Sequence, residues 1–314
     1  MYRDIEALRT TLYKYGLAPF EAEILALAVP TVRMRRTSAT NDDIAVGDSK
    51  MGGHPDLPPG FVWPQWDEKP LTFIVQFRLS DVAHARLPTN PLSMPQQEKL
   101  PFADKIAEAP PYGDRYPLPR QGMLYFFYEA DTVPMGEYAD RDGWSVVYLP
   151  DEDADLKRTA HPTHAGEWRT IQALPVHRLA FERGLTLPII GFNEQDEYVF
   201  RPADHGEDVH ERYWDLAATG ESPQHYLLGH PLPIQGPIER EVARYSQHIE
   251  FPINDKTRAK IEADAQQWQF LFQIDSDDSL EVMWGDAGML YVCIPKDSLE
   301  KCQFQDCWTI MQCS

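Results

Sequence analysis

Cysteine and positive charge are both scarce in this 314-residue chain, and long hydrophobic runs are missing altogether. Cys293, Cys302, Cys307 and Cys313 all fall near the C-terminus without a CxxC pair, whereas structural zinc sites use closely spaced thiols. Neither a metal site nor a disulfide framework is expected. No stretch approaches the ~20 apolar residues that a membrane helix needs. The N-terminal MYRDIEALRTTLYKYG is amphipathic and lacks the apolar run and cleavage site of a signal peptide, so a cytoplasmic protein is expected.

Lys and Arg number 29 against 49 Asp and Glu, a net charge of -20. Residues 1–40 hold six basic side chains against four acidic ones, leaving 23 against 45 in residues 41–314. Such a field repels nucleic acid and anionic membrane and favours a basic protein partner, although an acidic surface also keeps a protein in solution. GxSxG, HExxH, GxGxxG and the kinase signature set are all missing. No catalytic residue and no cofactor are therefore assigned.

What is present is a chain with 43% hydrophobic residues, enough to fill a core. Ile5, Leu8, Leu12 and Tyr15 recur at helical spacing, as do Phe20, Ile24, Leu25 and Leu27, which predicts two N-terminal helices. PTVRMRR (30–36) reads as a short strand with Val32 and Met34 on one face and Arg33 and Arg35 on the other, a solvated face or an anion site. Residues 70–81, 122–131 and 143–150 read as strands, and 171–190 as several short ones. Between them, 91–121 reads as a surface loop with a short helix. The polar stretch 193–222 has helical character in its second half, through Val209, Tyr213 and Leu216. A charged helix at 255–268, strands around 270–278 and 283–295, a short helix at 296–302 and a closing strand complete the chain. Helices and strands mix without βαβ alternation, so the fold class is α+β.

Three blocks recur in the same order. GHP, FIVQFRLSD and GMLYFF begin at Gly53, Phe73 and Gly122; GHP, FLFQIDSDD and GMLYVC begin at Gly229, Phe270 and Gly288. Recurring blocks with unequal spacers predict an internal duplication, two similar β-rich units about a pseudo-dyad. The organisation expected is residues 1–30 as an N-terminal helical segment, 31–190 as the first unit and 191–314 as the second, packed as one globular body.

The stretch GDSKMGGHP (47–55) fails as a phosphate-binding loop, because Ser49 and Lys50 precede the glycines and prolines follow. Gly53-His54-Pro55 reads as a turn that delivers the chain into a strand; an anion held by the amides of Gly52 and Gly53 with Lys50 nearby is the functional alternative. DSDDSLEVMWGD (275–286) fails as a calcium loop, since Leu280 stands where glycine is required and Asp286 where a bidentate glutamate is. HPTH (161–164) and DHGEDVH (204–210) read as solvated turns rather than ligand sets. Trp63 and Trp66 either cover the sheet or form a recognition surface. Gln76 and Gln273 each interrupt an apolar strand, so each amide must bond backbone or meet a ligand, and backbone is the simpler account.

SKMGGHPDLPPGFVWP, PLTFIVQFRLSD, GMLYFFY and the closing FLFQIDSDDSLEVMWGDAGMLYVCIPKDSLEKCQFQDC resemble the YwqG-like family, bacterial proteins carrying a domain of unknown function. The resemblance runs from about residue 31 to the C-terminus. It implies a cytoplasmic α+β protein without an accepted active site, and an immunity or accessory role beside toxin systems. Its motif positions here are Lys50, Gly52, Gly53, Trp63, Gln76, Gln273, Asp275, Trp284 and Asp286, which become the candidate ligand- or partner-binding residues. The leading expectation is a binding protein rather than an enzyme, whose acidic face engages a basic protein partner. An enzyme or small-ligand binder using a cleft between the two units is the alternative.

Overall fold

The computed structural model describes residues 1–85, 116–162, 173–190 and 202–314. Most of the expected loop at 91–121, the first part of the polar stretch 193–222 and His164 lie outside the described residues. Ten strands build one antiparallel sheet: β1 (Val29–Ser38), β2 (Lys50–Met51), β3 (Thr72–Arg78), β4 (Met123–Tyr128), β5 (Trp144–Leu149), β6 (His177–Thr186), β7 (Tyr226–Leu227), β8 (Trp268–Asp275), β9 (Met289–Pro295) and β10 (Trp308–Gln312). Seven α-helices lie around it among the described residues. The class is α+β, as expected.

The lateral order is β10-β9-β8-β7-β1-β6-β2-β3-β4-β5. Strands β2 to β5 therefore form one flank and β7 to β10 the other. Each five-strand set lends its first strand to the centre, where β1 pairs with β7 and β6 pairs with β2. β1 and β6 pair with each other along their whole length, from Val29 opposite Thr186 to Ser38 opposite His177. This pairing corrects two expectations. Residues 171–190 contain one ten-residue strand rather than several short ones, and β1 runs beyond 30–36 at both ends, because each strand has the other as a full-length template.

Alternation along the strands sends two sets of side chains to opposite faces. Inward-facing Val32, Met34, Phe77, Leu124, Phe126, Phe181, Phe272 and Leu290 form the main core. The sheet rolls so far that its flanks meet inside: the Phe272 ring lies 5.4 Å from Phe77 and 5.4 Å from Phe126, edge-on to both. The edges meet as well. Trp144 of β5 packs 5.3 Å from Trp308 of β10, and its indole N–H donates to the Cys307 carbonyl at 3.2 Å. The Trp308 indole donates to the Gly136 carbonyl at 2.8 Å, and Met311 N–H to the Met135 carbonyl at 3.2 Å. Gly136 has φ +96°, and a Cβ there would stand 2.2 Å from the Thr309 carbonyl oxygen, so only glycine lets this segment cover the β10 edge. The sheet is thus nearly closed.

The outer face is covered unevenly. Phe61, Trp63 and Trp66 pack with Phe73, Tyr125 and Phe127 over β3 and β4. The helices Ile238–Tyr245 and Asp255–Ala265 pack against each other, and the first of them against β8, β9 and β10. The two N-terminal helices join the helix Glu207–Ala218 around Leu8, Leu12, Ile24, Tyr213 and Leu216, a separate small core. Truncating the aromatic seam should therefore weaken the whole sheet: Trp308→Ala is expected to cost about 3–5 kcal/mol in a urea melt, whereas Val62→Ala, at an exposed site, should change little.

Candidate functional site

Residues opposite each other on neighbouring strands share a face. On the outer face the register places Arg178, Lys50, Gln76 and Tyr125 in one row across β6, β2, β3 and β4. Gly52 and Gly53, both at φ +67°, then turn the chain back over that row. A Cβ on Gly52 would lie 2.3 Å from the Pro175 carbonyl oxygen, so the close approach excludes any other residue. Gly53-His54-Pro55 delivers the chain into a short strand, Asp56–Leu57, which pairs with Lys157–Arg158.

That turn buries Asp56 over Lys50 and Gln76. Lys50 Nζ lies 2.9 Å from Asp56 Oδ2, Gln76 Nε2 donates to the same oxygen at 2.9 Å, and the Gly47 N–H donates to it at 3.1 Å. Arg158 Nε donates to Asp56 Oδ1 at 2.9 Å, and its Nη2 to the Ile44 carbonyl at 2.9 Å. The Asp56 N–H donates to Gln76 Oε1 at 2.8 Å, and the Tyr125 hydroxyl to the Asp56 carbonyl at 2.6 Å. Burial pushes the Lys50 ammonium down to about 8 against the pull of Asp56. Burial alone would raise the Asp56 carboxyl, but Arg158 and Lys50 outweigh it and hold it below the usual carboxylate range. Donors saturate this carboxylate, so the arrangement locks three segments together. Beside it, the buried Nδ1 of His54 has no hydrogen-bond partner among the described residues.

The other flank repeats the backbone straps without the charges. Leu232 N–H donates to Gln273 Oε1 at 3.0 Å, Gln273 Nε2 to the Gln224 carbonyl at 3.0 Å, and the Tyr291 hydroxyl to the Leu232 carbonyl at 2.7 Å. Tyr226 pairs with Gln273 as Lys50 pairs with Gln76, and Leu232 stands where Asp56 does. Asp275 accepts from the Gln224 N–H at 2.7 Å, and its own N–H donates to His225 Nδ1 at 3.0 Å. His225 must therefore carry its proton on Nε2, which donates to Asp277 Oδ2 at 3.0 Å, and Arg36 also pairs with Asp277.

The candidate residues thus divide. Lys50, Gln76, Gly52 and Gly53 come together around Asp56. Gln273 and Asp275 lie on the opposite flank, five strand spacings from β3, roughly 24 Å along the sheet. Trp63 covers the outer face, its indole donating to the Leu71 carbonyl at 2.9 Å. Trp284 is buried inside, edge-on to Tyr128 at 5.6 Å. Asp286 is exposed on a turn. Sequence reasoning missed Asp56, Arg158, His225 and Asp277. The signal for Asp56 was within reach: GHP is followed by Asp in one block and by Leu in the other.

Fold and site together define an α+β protein on a nearly closed antiparallel sheet, with a buried ionic lock on one flank and an uncharged counterpart on the other. Residues 49–102 and 104–313 match the family described as Domain of unknown function (DUF1963), and the chain belongs to that family. Comparison with curated proteins finds no match. No described helix is long and apolar enough to cross a membrane.

Two outcomes follow from the charges. Asp56→Leu strands the buried Lys50 ammonium and should cost about 3–5 kcal/mol, whereas the double variant Lys50→Met with Asp56→Leu should regain the part due to Lys50 but not the part due to Arg158, which still lacks its carboxylate. Urea melts of the two variants check this. His225 and His230 are both held below their ordinary 6.5 by burial, His230 at about 4. Their unfolded forms take up protons first, so stability should be full above pH 6.5 and fall as the pH drops toward 4. A His230→Gln variant should show a shallower decline in melts across that window.

Proposed function

We propose that this protein is a cytoplasmic binding protein that holds a basic protein partner on its acidic surface, in an immunity or accessory role of the kind the YwqG-like resemblance implies. One observation carries the reading: the excess negative charge lies outside the core. Among the described residues only Asp56, Glu129 and Asp277 are buried acids. Many cations are already committed to ion pairs, Arg78 to Glu152 and Asp153, Arg240 to Glu262, and Lys260 to Asp264 among them. Exposed carboxylates such as Asp151, Asp155, Asp278, Glu281 and Asp286 stay in solvent. A surface of one sign steers an oppositely charged partner and rejects like-charged ones.

The scaffold of this binding protein is read as an internal duplication of two β-rich units. The symmetric strand order supports it, and so do the paired glutamine straps. Bulges at matching places add to the case, at Ile74 in β3 and Leu271 in β8, whose carbonyls accept from Gly52 and Leu228 at 2.8 and 2.7 Å. By the same correspondence Pro30 and Arg33 match Pro175 and Arg178, so on this reading the second unit begins near Leu174 rather than at 191.

Capture on the immobilised protein should retain basic proteins preferentially, with one bound stoichiometrically. Its association rate should fall about tenfold or more between roughly 0.05 and 0.5 M salt. Retention indifferent to salt, or of acidic proteins, would remove the reading.

A further inference from the structure

β1 runs through the middle of the sheet, and its outward arginines alternate at Arg33 and Arg35. Both guanidiniums converge on one oxygen. Arg33 Nη2 lies 3.0 Å and Arg35 Nη1 3.4 Å from Glu221 Oε2, while Arg35 Nε lies 2.7 Å from Glu182 Oε2. Here β1 of the first set meets β7 of the second, and a shallow surface depression, open to solvent, is lined by Met1, Arg33, Glu221, Gln224, His225 and Tyr226.

The two partners at this depression differ in their freedom. The Arg33 side chain is only 17% exposed, held at the base of the depression. Its described side-chain bond uses one N–H of a guanidinium that carries several in a planar fork. Glu221 is 77% exposed, follows Gly220 in the link between the helix Glu207–Ala218 and β7, and touches the two arginines through a single oxygen. An exposed carboxylate on such a link gives up little when it swings into water. A nearly desolvated guanidinium beside a second one is suited to a bidentate oxyanion. With Glu221 away, Arg33, Arg35 and Glu182 leave one net positive charge, a local exception on a chain of net charge -20. The neighbouring His225 supplies no donor, because both its ring nitrogens are committed to Asp275 and Asp277.

We propose that Arg33 and Arg35 form an oxyanion site for the carboxylate or phosphate group of a small ligand, with Glu221 as a tethered occupant that the ligand displaces. The site goes beyond the protein-partner reading and does not depend on it. The second guanidinium favours a group with two or more anionic oxygens.

Calorimetric titration of inorganic phosphate and of succinate into wild type, Glu221→Gln and Glu221→Gln with Arg33→Gln tests it. Glu221→Gln, at an exposed position, should bind about fivefold more tightly than wild type, the effect of removing one competing surface ion pair. The double variant should lose that binding. Arg33→Lys in the Glu221→Gln background, which keeps the charge without the fork, should fall between them. Binding of phosphate alone or of succinate alone supports the site and names its oxyanion. Absence of binding by Glu221→Gln to either anion, or equal binding with and without Arg33, overturns it.

Discussion

The pairing of β1 with β6 is the interaction on which the rest of the structure depends. Ten residues of each strand zip antiparallel, and each strand then offers its other edge to the second strand of the opposite set. Neither set contains a complete sheet of its own, since its first strand sits beyond the midline. Continuity through this central pair lets ten strands twist and roll until their outer flanks share one aromatic core. The edge strands that would otherwise be exposed are then sealed by Trp144, Trp308 and the segment at Met135–Gly136.

Against that common framework, the contrast between the flanks is informative. Both tie a crossing segment to the sheet through a glutamine amide and a tyrosine hydroxyl. Only one adds a buried lysine and aspartate with a half-buried arginine. Burying charges is costly, and well-packed hydrophobic residues often serve stability as well. Leu232 and Tyr226 show that the framework accepts such residues here. What the charges add is specification: through Arg158, Asp56 fixes the loop at Asn41–Ile44 and the short ladder at Lys157–Arg158 in one arrangement.

The two glutamines were legible because each stands alone in an apolar strand, and their backbone-bonded role followed from the need to satisfy a buried amide. Gly52 and Gly53 were legible as the approach to a turn, whereas Lys50 stands on β2 and not in the turn. Asp56 was harder to see, because its partner Arg158 lies 102 residues away, just after the acidic run at 151–155. Arg33 and Arg35 were visible as an outward-facing pair, but nothing local announced Glu221, which arrives from another element 188 residues on from Arg33. Trp284 and Asp286 were grouped with the site by motif, yet one points into the core and the other into water.

The sequence by itself determined the class of fold, the identity of most strands, and the recurrence of the GHP, glutamine and GMLY blocks. These depend on alternation and turn chemistry, which act over a few residues. Only the tertiary structure decided that the two sets exchange their first strands, that one flank carries an ionic lock, and that two arginines share a glutamate at the midline. Those outcomes depend on which distant segments become neighbours, and a carboxylate's partner is chosen by the packing that buries it rather than by the residues beside it in the chain.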